Sequence, residues 1–185
     1  SGGGPVQPAA AAQTSHAANV SRGRSPIATN YHSSVSSPAG RAVRVATYNV
    51  HHCRGLDGRT RPERIARVIR TLDADVVALQ EVIGAGPHGG GQMEELGALL
   101  GMGWVMAPAR QLRGHHFGNA VLSRCPIVEH LEQDLTWKTC EPRRLQRVDV
   151  SVDGHTLHVY NVHLGTAILE RRHQARRLAT IVTDR

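Results

Sequence analysis

Asn49, Glu81, Asn161 and His163 each fall at or near the end of a segment that reads as a β-strand. In sheet-based folds, ligands gather beyond the carboxyl ends of the strands. An amide, a carboxylate and an imidazole converging there suit a hard divalent cation and a phosphate. Mg²⁺ takes oxygen donors, commonly one or two carboxylates, with water and substrate oxygens filling the remaining positions. A His beside it could donate to phosphoryl oxygens or handle a proton. Taken one at a time, an Asn, Glu or His at a strand end is more often a cap or a turn ligand, so the elements that carry these residues decide whether they meet.

Val43–Asn49 alternates and reads as a strand, followed by a loop containing Gly55 and Asp57-Gly58. Thr60-Arg61-Pro62-Glu63 has the form of a capping box with Pro in the first turn. The helix behind it spaces Ile65, Val68, Ile69 and Leu72 at i, i+3, i+4, i+7. Asp75–Glu81 is a short apolar run with polar ends, as in a buried strand. Strand, helix and strand in this order form a βαβ-type unit, which favours parallel pairing. Beyond a Gly-rich loop (Gly84–Gly91), read as mobile, a shorter helix places Met93, Leu96, Leu99 and Leu100 inward and stops at Gly101. Trp104–Ala107, Gly118–Arg124 and Ile127–Leu135 read as further strands. Leu145–Val152 and Thr156–Leu164 alternate around Asp153-Gly154, a hairpin signal. Thr166–Val182 reads as a last helix with Ile168, Ala175, Leu178, Ala179 and Val182 on one side.

The chain has 185 residues, with 22 basic and 15 acidic side chains and a net charge of +7. Residues 1–42 carry +3 and no acid; residues 43–185 carry the remaining +4, a mild excess that fits a phosphate-bearing partner. Residues 1–42 are rich in Ser, Ala, Gly and Pro without apolar periodicity, the composition of a disordered tail. No apolar run approaches the length of a membrane helix. Cys53, Cys125 and Cys140 stand far apart, which argues against a disulfide scaffold. Ala9–Ala12 is too short for a secretory core and the chain does not begin with Met. The short Ala run favours a cytoplasmic location slightly, the missing Met leaves export open, and the oligomeric state is not legible.

Residues 45–82 (VATYNVHHCRGLDGRTRPERIARVIRTLDADVVALQEV) resemble the opening of the endonuclease/exonuclease/phosphatase superfamily: a strand ending in T-x-N, a helix, then a strand ending in L-Q-E. GNAVLSRCPI (118–127), EPRR (141–144) and NVHLG (161–165) follow in the family's order, so the resemblance extends over 43–185. It implies an α/β fold, part of a four-layer sandwich of two β-sheets flanked by helices. It also implies a phosphoester hydrolase that uses Mg²⁺, or Mn²⁺ in its place. By the same resemblance, Glu81 is the metal-ligating carboxylate and Asn49 helps position metal and scissile phosphate. Arg143 approaches the phosphate, with Arg144 as the alternative, and His163 donates to a phosphate oxygen. Asn119 is read as shaping a strand edge. The family's reaction is attack of activated water on a phosphoester, with the metal neutralising developing charge. Nucleic acid, a phospholipid headgroup and a small phosphoester are all substrates of that class, and the TYNVHHCRGLDGR opening leans toward the lipid or small-phosphoester branches.

The family's later G-D-x-N and S-D-H segments, which complete the water-activating apparatus, do not occur in this sequence. The expectation is therefore the N-terminal portion of such a domain, truncated relative to the family, with an exposed apolar face and no useful phosphodiesterase rate from these 185 residues alone. Three other readings compete. His51-His52-Cys53 and His115-His116 are soft-ligand clusters, but their spacing matches no zinc module; His51 or His52 more naturally lines the cleft after Asn49. No G-x-S-x-G elbow and no P-loop is present. The rival from another class is a non-catalytic basic module that binds phosphate or nucleic acid through Arg171–Arg177, set against a plain solvated helix face.

Overall fold

The computed structural model describes residues 42–183; the tail expected over 1–42 lies, apart from residue 42, outside the described residues. Strand β1 (Val45–Asn49) runs into a 3₁₀ turn (His51–Cys53), then α1 (Pro62–Leu72) and β2 (Val76–Ile83). β1 and β2 pair in parallel from Val45 opposite Val76 to Asn49 opposite Gln80, as a helical crossover requires. α2 (Gln92–Leu100), β3 (Gly103–Leu112), β4 (His115–Ser123), β5 (Ile127–Asp134), β6 (Arg144–Val152), β7 (His155–Val162) and α3 (Ile168–Thr183) follow. Among the described residues one sheet has the order β1-β2-β4-β3 and the other β5-β6-β7.

The layering follows from which faces are apolar. On one face of the first sheet, Val77, Leu79, Val82, Ala120 and Leu122 pack against Ala66 and Ile69 of α1 and Met93 and Leu96 of α2. On its other face, Val76, Ala78, Val105 and Val121 meet Val148, Val150 and Val159 of the second sheet. β2 is thus buried on both sides, which is why its sequence is a continuous apolar run rather than an alternation. With α3 beside the second sheet, this is an α/β fold of two sheets flanked by helices.

Several local expectations shift. Thr60 does not cap α1. The N-cap is Arg61, in extended conformation and without a side-chain cap bond, while Thr60 bridges Arg54 across a small loop. The buried stripe of α1 is Pro62, Ala66 and Ile69, whereas Val68 and Leu72 are each 42% exposed, because the helix leans on α2 and the 3₁₀ turn. β3 and β4 extend well past the expected segments and join at Arg113-Gly114, both at positive φ (52° and 81°); Arg at the first position of such a turn hid the hairpin. Asp153-Gly154 turns as expected, with φ of 48° and 81°. α3 departs most. Its buried side chains are Glu170 and Gln174, while Ile168, Ala175, Ala179 and Val182 are exposed. The helix is held by a polar clasp: Gln174 accepts from the Gly165 N–H at 2.8 Å and donates to Glu170 at 3.1 Å and to the Leu135 carbonyl at 3.3 Å.

A polar seam runs through the contact between the sheets. Asn161 of β7 donates from Nδ2 to the carbonyls of Leu79 and Ala120 in the first sheet, both at 2.9 Å, and to Gln146 Oε1 at 3.2 Å. Its Oδ1 accepts from Gln80 Nε2 at 2.8 Å. Gln146 Nε2 donates on to the Val105 carbonyl at 3.1 Å and to His130 Nε2 at 3.2 Å. A satisfied buried network fixes how two apolar surfaces slide against each other; removing one member strands the others. Asn161→Ala is accordingly expected to lower unfolding free energy by about 3 kcal/mol in urea titration, far beyond the loss from an exposed amide.

His130 gives the fold a pH dependence. Gln146 Nε2 can only donate to it, so the imidazole is neutral, and burial pulls its pKa from 6.5 down to about 4. The unfolded chain takes up this proton first as pH falls. Stability is therefore full above pH 6.5 and drains between 6.5 and 4. Chemical denaturation at pH 8 and pH 5 is expected to differ by about 2 kcal/mol from this group, and His130→Gln is expected to remove that part of the slope.

Candidate active site

Glu81 sits in a break of the sheet. β2 and β4 keep register to Leu79 opposite Ala120 and resume at Val82 opposite Gly118, so Gln80 and Glu81 together face the single residue Asn119. Strict alternation would put residue 81 in the helix-covered core beside Val77 and Leu79; the bulge gives that place to Val82 and frees the carboxylate. Glu81 takes φ 59° to do so, a left-handed conformation costing a non-glycine residue about 1 kcal/mol or more. Asn161 bonds the carbonyls of Leu79 and Ala120, the last matched pair before the break, and so holds it open.

The 3₁₀ turn after β1 carries the neighbouring groups. His51, His52 and Cys53 all have positive φ (48°, 55° and 53°), a cramped path that brings two imidazoles back over the strand ends. Asn49 Nδ2 donates to Glu81 Oε1 at 2.9 Å, and Asn49 Oδ1 accepts from the His51 N–H at 3.0 Å. His51 Nδ1 lies 3.1 Å and His52 Nε2 3.7 Å from Glu81 Oε2, and His163 Nε2 lies 3.8 Å from Oε1. The two histidines of the turn stack at 5.5 Å, with His52 edge-on to Phe117 at 5.1 Å.

Opposite this carboxylate stands a cation. Arg143 and Arg144 line one cleft with Glu81, Asn119 and His163. The Arg143 side chain is only 12% exposed, and its Nη2 donates to Glu141 at 2.8 Å. Its Nε–H is buried and has no hydrogen-bond partner among the described residues, a donor in want of an acceptor. Asn119 lies on β4, an interior strand rather than a sheet edge, and donates to the Arg144 carbonyl at 3.0 Å. That bond ties the second sheet to the rim of the cleft.

The electrostatics follow from these contacts. Burial pushes the Glu81 carboxyl up, but the Asn49 hydrogen bond and the nearby His163 and His51 outweigh it and hold the group below its ordinary value. It is ionised at neutral pH. Burial draws His163 down, Arg143 adds to the effect, and Glu81 restores part of it. His52 is lowered chiefly by burial. The two imidazoles nearest the carboxylate apart from His51 thus stay neutral at pH 7.

All four residues expected at the site, Asn49, Glu81, Arg143 and His163, lie at this cleft or touch the carboxylate at its centre. Asn161 does not; it is buried in the seam beneath. Cys53, the cysteine of the soft-ligand cluster, packs in the helix-covered core, where burial pushes its thiol up to about 12. No group of three or more His, Cys, Asp or Glu poised around a metal occurs among the described residues. Arg171, Arg172, Arg176 and Arg177 are exposed and none lines the cleft. Glu141, which grips both Arg143 and Arg110 (2.9 Å), escaped the sequence reading; its place beside the two arginines of EPRR was the available signal.

The chain belongs to the Endonuclease/Exonuclease/phosphatase family, whose model matches residues 46–183. The uncharacterized protein YbhP of Escherichia coli (strain K12) is 33% identical over 167 residues, covering 77% of this chain and 61% of that protein. The chain thus spans about three-fifths of the length of this curated relative. The crystal structure of an endonuclease/exonuclease/phosphatase from Beutenbergia cavernae DSM 12333 has a TM-score of 0.60 and 30% identity, covering 74% of this chain and 43% of that one. The structure of D. rerio TDP2 complexed with single strand DNA product shares the fold, with a TM-score of 0.58 and 19% identity over 77% of this chain and 56% of that chain.

Asn49→Ala is expected to return the Glu81 carboxyl toward its ordinary value, because the hydrogen bond is the leading influence pulling it down. Carboxyl ¹³C chemical shifts followed through an acid titration report this; an unmoved Glu81 midpoint would show that the amide does not hold the carboxylate.

Proposed function

We propose that this cleft is the phosphate- and metal-gripping half of a phosphoester hydrolase. The observation that carries the reading is the pairing, in one cleft, of an ionised carboxylate held by Asn49 and ringed by imidazoles with a buried arginine whose Nε–H lacks a partner among the described residues. A phosphate supplies the acceptor that this arginine lacks. The donor set fits a hard divalent cation, Mg²⁺ or Mn²⁺, with Glu81 as its protein ligand and water completing the shell. Asn49 serves that site as a holder, since its oxygen is engaged by the His51 N–H. When bound, the ion neutralises charge developing on phosphoryl and leaving-group oxygens.

The chain's own residues do the rest. Arg143 binds and orients the phosphate through its Nε–H. His163, neutral and half-buried, offers Nε2 as a hydrogen-bond partner to a phosphoryl oxygen or to water. Asn49 and the strained turn fix the carboxylate before substrate arrives, so no ordering is needed at the moment of reaction. No aspartate lines the cleft among the described residues, and the G-D-x-N and S-D-H segments are not in the sequence. Binding, more than turnover, is therefore the direct readout for these 185 residues. The fold neighbour in complex with single strand DNA product supports a phosphodiester as the ligand class.

Calorimetric titration of the chain with Mn²⁺ is expected to give one site whose affinity falls at least tenfold in Glu81→Gln. A phosphodiester analogue is expected to bind more weakly in Arg143→Ala with Mn²⁺ affinity kept. Ion binding indifferent to Glu81, or phosphodiester hydrolysis that survives Glu81→Ala or chelation, overturns the proposal.

A further inference from the structure

The basic excess of residues 43–185 is not spread over the molecule. Arg54, Arg59, Arg61, Arg64, Arg67 and Arg70 face only Asp57 and Glu63 within residues 54–70, while the other 126 residues of that region hold 13 basic and 13 acidic side chains and balance. The local surplus of +4 is the whole net charge of residues 43–185. Thr60, Arg61, Glu63, Arg64 and Arg67 line a cleft of about 370 Å³ on the flank of α1. Arg64 is engaged: it grips Asp57 with both amino groups, at 2.6 and 3.2 Å. That contact occupies Asp57, while Glu63 is the carboxylate that lines the cleft beside the arginines. The side chains of Arg61 and Arg67 are exposed and make no ion pair or side-chain hydrogen bond among the described residues.

This cleft is built onto the active site by the backbone. The Arg61 N–H donates to the Cys53 carbonyl at 2.9 Å, the Arg54 N–H to the His51 carbonyl at 2.9 Å, and Arg54 bridges Thr60. The arginine loop therefore springs from the same 3₁₀ turn whose His51 and His52 reach Glu81. We propose that the Arg61/Arg67 cleft binds a second backbone phosphate of an extended nucleic-acid strand whose scissile phosphate lies in the Glu81–Arg143 cleft. This rests on the phosphoester reading above and narrows its substrate to a polymer. Forked guanidinium groups in a concavity match phosphate oxygens bidentately. With Leu56 the one large exposed apolar side chain of residues 54–61, the loop offers little to insert into a lipid surface, which needs an apolar face as well as charge. With six aromatics in the whole chain, the contact reads backbone rather than base sequence.

The test is binding of a fluorescein-labelled single-stranded oligonucleotide of about 20 nucleotides to the full chain in chelator, by anisotropy across a salt series. Arg61→Ser/Arg67→Ser is expected to weaken binding about tenfold at low salt and to flatten the slope of log affinity against log salt by about 0.7, the one phosphate contact that the cleft makes on a single strand. Arg171→Ser/Arg172→Ser on α3 is the charge-matched control and is expected to leave that slope in place. Glu81→Ala is expected to retain arginine-dependent binding while losing Mn²⁺, so failure of the catalytic reading and failure of this one are told apart. An unchanged slope in Arg61→Ser/Arg67→Ser, an equal loss in the α3 control, or stronger arginine-dependent capture by phosphatidylglycerol vesicles than by the oligonucleotide overturns the assignment.

Discussion

A carboxylate carried on a left-handed residue inside a sheet is the constraint on which the site depends. Glu81 gains its position because β2 gives up one step of its ladder with β4. Two amides hold that concession. Asn161 satisfies the carbonyls at the break from the far sheet, and Asn49 satisfies the carboxylate itself from the neighbouring strand. The first amide is buried and makes the local strain tolerable; the second is at the rim and sets the charge state. Because Asn161 also joins the sheets through Gln80, and its neighbour Gln146 joins them through the Val105 carbonyl, the stacking of the sandwich and the shape of the cleft are one structural problem. A sliding of one sheet over the other would cost the seam its bonds and the bulge its support together.

Charge is sorted to match. In the cleft one ionised carboxylate, Glu81, shares the walls with Arg143 and Arg144, and burial keeps His163 and His52 neutral. Beyond it the surplus of arginine is gathered on the flank of α1, and the rest of residues 43–185 is neutral overall. Under the proposed function this arrangement serves a cation at the centre and a polyanion around it, two demands that a uniformly basic surface would set against each other.

Much of this was legible in the residues. The parallel β1–β2 pair follows from a strand, an amphipathic helix and a buried apolar run in that order; Asn49 ends β1 opposite Gln80, one residue before Glu81, but β2 does not stop at Glu81 as expected and continues past the bulge to Ile83. What was hidden is where one interaction overrides a local rule. Nothing in DVVALQEV announces a bulge, since the signal for it lies at Asn161, 80 residues away from Glu81. The capping box at Thr60 failed because that residue pairs across its loop with Arg54. The apolar side assigned to α3 failed because a buried Gln174 outbids it, offering three hydrogen bonds to groups that would otherwise be stranded. Asn161 itself was visible as a polar residue at a strand end, but only its tertiary partners separate a ligand from a tie.

The role of Glu81 is tested most directly by crystals of the chain grown with Mn²⁺ and measured at the manganese absorption edge. An anomalous peak bonded to a Glu81 carboxylate oxygen, with Asn49 Nδ2 still donating to that group, is the expected map. A peak seated on the His51 and His52 imidazoles with Glu81 turned away, or no peak in this cleft at saturating ion, contradicts it.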